Sequence, residues 1–191
     1  MLIDYIEGSQ SDVGQESFVI AMLEGKRDGY YVEIGAGNAI RNSNTLLLER
    51  EYNWKGVGLE IEKTYVLEHD VLRRNPCLEV DAITFDYKKY FQENNFPMQI
   101  DYLQLDIDPP QFTLEALKAL PLETYRFSTI TYEHDYYNKP EHYLIKQEAQ
   151  DILRSYGYSQ VADNVLSPAP WNNPFEDWWI DPFAVSITLR R

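Results

Sequence analysis

Short apolar or β-branched runs alternate along this chain with longer stretches in which apolar and polar residues mix at helical spacing. The runs occupy residues 30–34, 57–61, 78–82, 102–107 and 128–132, each after polar, Gly or Pro punctuation. Near-continuous apolarity marks strands covered on both faces, as in a parallel sheet. Two further strands are predicted over residues 158–162 and 183–189. Between the runs, Asn42 and Ser43 are candidate caps for a helix carrying Leu46, Leu47, Leu48, Glu49 and Arg50, and Thr113 for one carrying Leu114, Leu117 and Leu120. The clearest helix spans residues 141–156, where Ile145, Ala149, Ile152, Leu153 and Tyr156 form one stripe between Pro140 and Gly157. Regular alternation of strand and helix predicts a doubly wound α/β domain whose last strands run antiparallel.

Composition narrows the class. The chain has 191 residues, enough for one ordinary core, and no internal repeat or low-complexity linker divides it, so a single domain over residues 1–191 is expected. A net charge of −14 argues against nucleic-acid and anionic-membrane partners. Hydrophobic residues at 44% and aromatics at 14% exclude an acidic disordered chain. Cys77 is the single cysteine, so no intrachain disulfide or cysteine-based zinc cluster can form, and a reducing compartment is implied. No apolar run of about 18 residues occurs, and the opening MLIDYIEGSQ lacks the basic and apolar regions of a signal peptide, so a cytoplasmic location is expected.

In a doubly wound sheet, ligands bind beyond the carboxyl ends of the strands where the winding reverses. The first strand ends Glu33-Ile34-Gly35-Ala36-Gly37, an acid followed by two glycines that allow close backbone approach to a ligand. The same glycines also suit a plain strand-to-helix turn. The second strand carries Glu60, placed to accept the two hydroxyls of a ribose, with Glu62 as the less favoured alternative; the third ends at Asp81-Ala82, suited to an adenine edge or to a simple turn. With Ile40 where a third glycine would stand, and with Glu33 set to repel a pyrophosphate, an adenosyl cofactor fits better than a dinucleotide; this also opposes a Rossmann dehydrogenase. No Walker-type Gly-Lys-Ser/Thr is present.

Together with Ser9-Gln10, Gly14-Gln15, Ser43-Asn44-Thr45, Leu48-Glu49 and Trp54-Lys55-Gly56-Val57-Gly58-Leu59-Glu60, these segments resemble the FkbM-type methyltransferases, class I enzymes dependent on S-adenosylmethionine (SAM). The resemblance extends from about Ser9 to Phe175-Glu176-Asp177-Trp178-Trp179. It implies a mostly parallel, seven-stranded Rossmann-like sheet with helices on both faces. SAM would lie over the glycine turn, with Glu33, Gly35 and Gly37 toward its methionine half, Glu60 at the ribose, Asp81 and Ala82 at the adenine, and Asn44 and Asp106 completing the set. One departure is Asn38-Ala39-Ile40-Arg41-Asn42, which stands where many members carry a second glycine-rich segment.

The fourth strand ends Asp106-Ile107-Asp108-Pro109-Pro110 and the fifth Glu133-His134-Asp135. Acids converging there repel one another unless a cation or shifted protonation offsets the charge. Asp106, His134 and Asp135 are therefore the candidate ligands for magnesium or manganese, an arrangement that resembles metal-assisted macrolide and sugar O-methyltransferases. Asp108 is the candidate base, with His134 the alternative if it is not a ligand. Helix caps and solvated loop residues are the competing reading. His69 and His142 are expected at the surface, and Cys77 buried as a small hydrophobe. Tyr132, Tyr136, Tyr137, Tyr143, Trp171, Trp178 and Trp179 either line an acceptor pocket or pack in the core, and residues 167–174 form a loop suited to a lid. The leading expectation is a SAM-dependent O-methyltransferase for a saccharide or other polyhydroxyl small molecule or glycan. The alternative is a non-catalytic adenosyl-ligand or protein-binding module on the same sheet.

Overall fold

The computed structural model describes residues 5–136 and 139–186. Seven strands, β1 (Tyr30–Ile34), β2 (Lys55–Glu60), β3 (Cys77–Glu79), β4 (Gln99–Leu105), β5 (Arg126–Glu133), β6 (Ser159–Leu166) and β7 (Pro174–Ile180), form one sheet in the order β3-β2-β1-β4-β5-β7-β6. The first five are parallel, and β7 runs antiparallel to both β5 and β6. Winding reverses between β1 and β4, which places the crevice at their carboxyl ends.

Among the described residues six helices cover the sheet: α1 (Gln15–Met22), α2 (Leu46–Tyr52), α3 (Lys63–Leu72), α4 (Tyr87–Glu93), α5 (Pro110–Ala119) and α6 (His142–Ser155). Side chains alternate across each strand, so one face carries Val32, Ile34, Leu103, Leu105, Ile130 and Trp179 against α4, α5 and α6. The opposite face carries Tyr31, Tyr102, Trp178 and Ile180 against Phe18 and Val19 of α1 and Leu47 and Leu48 of α2. None of the described helices is long and apolar enough to cross a membrane.

The first five predicted strands lie within about two or three residues of those observed. The seventh does not. It occupies Pro174–Ile180, whereas residues 182–184 form a turn with Phe183 90% exposed, and residues 187–189 lie outside the described residues. The acids Glu176 and Asp177 interrupt the apolar pattern of β7, yet both are buried. Helix α5 starts at Pro110, in the position where a missing N–H costs nothing, and Thr113 instead exchanges hydrogen bonds with the backbone of Ile107.

One buried cation organises the segment between β1 and α2. Arg73, at the end of α3, donates through Nε to Glu49 Oε2 (3.1 Å), through Nη1 to Ser43 Oγ (3.1 Å) and the Ala39 carbonyl (3.2 Å), and through Nη2 to Thr45 Oγ1 (2.8 Å) and the Tyr31 hydroxyl (3.2 Å). Burial pulls its guanidinium down, but Tyr31, Glu33 and Glu49 outweigh that and hold it above its ordinary value. Glu16 of α1 completes the arrangement by accepting the backbone N–H of Leu47 (2.6 Å) and the Ser9 hydroxyl (2.8 Å). Replacing Arg73 with Met removes the buried cation beside Glu49 and leaves that carboxylate with backbone N–H groups, the Tyr31 hydroxyl and the more distant, exposed Arg74. Denaturant unfolding is expected to show a loss of about 3–5 kcal/mol, the scale for a broken buried pair.

Candidate functional site

The turn after β1 is shaped by contact with β4. Gly35 adopts φ +77°, and a Cβ there would lie 1.7 Å from the Asp106 carbonyl oxygen, so no side chain fits. Gly37 has φ +53° but open space around it. Its N–H donates to Glu60 Oε2 (2.8 Å), while Glu60 Oε1 accepts the N–H groups of Ile61 and Glu62, both at 2.8 Å. Three amides thus take three of the four lone-pair directions of this carboxylate.

Beside this turn lies a cleft of about 410 Å³ lined by Gly35, Glu60, Ile61, Asp81, Ala82, Ile107, Asp108 and Phe112, with Leu59, Val80 and Ile83. Its volume falls within the range of about 300–1,000 Å³ typical of small-molecule sites. Of the residues singled out from sequence, Gly35, Glu60, Asp81, Ala82 and Asp108 meet here. The apolar walls Ile61, Ile83, Ile107 and Phe112 carried no sequence signal beyond following a strand end.

Glu33 and Asn44 lie elsewhere. Glu33 is buried and accepts the Thr45 hydroxyl (2.6 Å) and the Asn44 backbone N–H (3.2 Å), a partnership internal to the fold. Burial pushes its carboxyl above the usual range although Arg73, Thr45, His69 and Asn44 pull it back. His69 is 3% exposed, correcting its expected surface position: its Nε2 lies 3.2 Å from the Gly37 carbonyl and props the turn from beneath. His142 is likewise buried, with Nδ1 3.1 Å from the Asp135 carbonyl. Cys77 is buried at the start of β3, as expected of a small hydrophobe.

Strand alternation sets one of the three candidate metal ligands, His134, apart from Asp106. Leu105 pairs with Tyr132, so Asp106 falls beside Glu133, and Glu133 pairs with Glu176 of β7. Asp106 and Glu133 share a hydrogen bond. His134, one residue further, points to the opposite face, where its Nε2 lies 3.4 Å from Asp177 Oδ1 and the ring is wholly buried. Lys146 lies 3.3 Å from the same Asp177 oxygen. Among the described residues no group of three His, Cys, Asp or Glu side chains is placed to hold an ion, so the expected Asp106–His134–Asp135 cage is not formed. His134 is also absent from the cleft lining, leaving Asp108 as the carboxylate there that follows β4.

Burial pushes the Asp106 carboxyl up to about 7, opposed by its bond to Glu133 and reinforced by Asp108, Asp135 and Asp12. Burial, then Asp106, hold Glu133 well above the usual carboxylate range. Glu176 is raised to about 8, chiefly by burial, against bonds from the Trp178 indole N–H and Gln15. Asp177 behaves oppositely: burial alone would raise it, but His134 and the Asn164 and Gln150 donors bring it to about 2. Trp178 stacks on Phe18 (4.7 Å between ring centres) and Trp179 is buried, so both belong to the core. Trp171, in the segment joining β6 to β7, is 70% exposed. Tyr137 lies outside the described residues.

Several solved structures match this architecture over most of its length. They include a candidate rRNA-methylase of Clostridium thermocellum (14% identity, TM-score 0.57, covering 90% of this chain and 98% of that one), the N-methyltransferase NodS of Bradyrhizobium japonicum WM9 (7%, 0.56, 88% and 94%) and a SAM-dependent methyltransferase of Aquifex aeolicus (13%, 0.55, 92% and 94%). The chain has the Rossmann-like methyltransferase fold. Fibrillarin of Aeropyrum pernix, solved with natively bound SAM, also matches (10%, 0.52, 81% and 67%). No family model and no curated protein matches the sequence.

Two outcomes follow from this geometry. Gly35→Ala is expected to cost well over about 2 kcal/mol, from left-handed strain plus the overlap with Asp106, whereas Gly37→Ala costs only about 1 kcal/mol; thermal unfolding of both variants compares them. Glu176 and Asp106 have folded values raised above those of the unfolded chain, so their contribution is complete at acid pH and is lost as pH rises through about 7 to 8. The denaturation midpoint is therefore expected to fall between about pH 5 and about pH 8, and Glu176→Gln to flatten that fall.

Proposed function

We propose that this chain is a SAM-dependent methyltransferase that methylates oxygen on a saccharide or other polyhydroxyl acceptor. The observation that carries this reading is the cleft at the switch point, in which a strand-end carboxylate, an acid–alanine pair and a glycine with no room for a Cβ meet around an apolar slot. Glu60 retains one acceptor direction, suited to a ribose hydroxyl; Asp81 and Ala82 border the slot where a base edge would lie, between Ile83 and Phe112. The acids around the cleft complement the positive charge of a sulfonium.

When bound, SAM supplies a methyl group on positively charged sulfur. What remains for the protein is to orient the acceptor and to receive its proton. Asp108 is exposed at the rim of the cleft immediately before Pro109 and Pro110, and its carboxylate would take the proton of the acceptor hydroxyl. The net charge of −14 favours a small or glycan acceptor over a nucleic acid.

Transfer of label from methyl-labelled SAM to a panel of saccharides tests the reading. Product with at least one acceptor is expected, and Asp108→Asn is expected to lower turnover by about 10²–10⁴-fold while SAM affinity changes little. Tight SAM binding without transfer to any acceptor would instead identify a non-catalytic adenosyl-binding module, and absence of SAM binding would remove both readings.

A further inference from the structure

The face of the sheet beneath α1 and α2 carries hydrogen-bond acceptors that the protein itself leaves unfilled. In one cross-sheet row, Glu33 stands opposite Gln104, which stands opposite Thr131 and then Trp178. The next row toward the carboxyl ends holds Asp106, Glu133 and Glu176. Gln104 is 2% exposed and Asn44 is 6% exposed, yet among the described residues Gln104 Oε1 and Asn44 Oδ1 have no hydrogen-bond partner. Both flank Glu33: Asn44 through its backbone bond to that carboxylate, Gln104 through strand register on the same face, one side-chain step below Asp106.

Arg73 reaches the Glu33 end of these rows by charge and through Thr45, and among the described residues no ion pair brings a Lys or Arg to Asp106, Glu133 or Glu176. Asp12, in the segment before α1, adds to the negative potential felt by Asp106. Buried amide oxygens without donors are costly, so the chemistry that completes this surface is a donor. A neutral hydroxyl offers one donor and no charge, whereas a protonated amine offers three and offsets the clustered carboxylates. Asp106 and Glu133 are half-buried rather than sealed in the core.

We propose that Asp106, Glu133 and Gln104 bind a protonated amine on the methyl acceptor, whose substrate class is then an amino sugar or aminocyclitol. This deepens the methyltransferase reading and rests on it for the word acceptor, but amine binding itself can be measured without SAM.

Titration calorimetry on the full chain, without SAM, would compare glucosamine and 2-deoxystreptamine with their neutral counterparts N-acetylglucosamine and myo-inositol. At least one amine is expected to bind about tenfold or more tightly than its counterpart, the scale of one charge-assisted hydrogen bond. Glu133→Gln and the near-isosteric Gln104→Leu are each expected to reduce that preference severalfold, with circular dichroism confirming the fold. Equal affinity for amine and neutral forms, no binding of either amine, or a preference unchanged in a folded Gln104→Leu would overturn the assignment. A separate SAM titration distinguishes the failures: amine selectivity without SAM binding removes the methyl-transfer reading, and SAM binding without amine selectivity removes this one.

Discussion

A buried guanidinium holds the segment that follows β1 in shape. Arg73 reaches from α3 across the segment that follows β1 and bonds to β1, to that segment and to α2 simultaneously. Its presence makes three buried carboxylates tolerable on one side of the sheet: Glu49 directly, Glu33 through Thr45, and Glu16 by charge at longer range. Each acid in turn fixes a backbone N–H that an apolar residue could not satisfy. The path of the chain around the glycine turn is therefore set by electrostatics within the protein before any ligand arrives.

The cleft inherits its form from that arrangement. Glu60 is aimed by three amides, Gly35 is pressed against the end of β4, and His69 supports the Gly37 carbonyl. A site whose polar groups are held in this way loses little conformational freedom on binding. Beyond β4 and β5, Asp106 and Glu133 share a hydrogen bond, and burial raises both of these carboxyls and Glu176 of β7, so this edge carries a high density of acceptors without the full repulsion of as many charges.

Much of this was legible in the amino-acid order, and the failures have specific causes. Strands β1 to β5 announce themselves because both of their faces are covered, which makes their sequences continuously apolar. Gly35, Glu60, Asp81 and Ala82 follow from the rule that strand ends at a switch point meet a ligand. Strand β7 was hidden because Glu176 and Asp177 are buried polar residues, and a pattern of hydrophobicity counts such residues as surface. His69 and His142 were hidden for the same reason. The metal cage failed on parity: Glu133 and His134 are adjacent, so only one can face Asp106, and the inter-strand register that decides which is a property of the folded sheet. Arg73 carried no motif at all, since its partners come from β1, α2 and the segment between them.

Strand β7 follows β5 and β6 in the chain but lies between them in space. On the ribosome, everything up to residue 173 emerges with the outer edge of β5 unclosed and with Phe18 lacking the ring of Trp178 that it stacks upon. Trp178 and Ile180, which complete the apolar cover on that side of the sheet, thus arrive in a single late segment, and the nascent chain passes through a stage with an open, adhesive strand border. The acids of β7 bear on that strand itself, because a charge-bearing strand is a poor template for intermolecular stacking until His134, Lys146 and the indole of Trp178 take up its carboxylates.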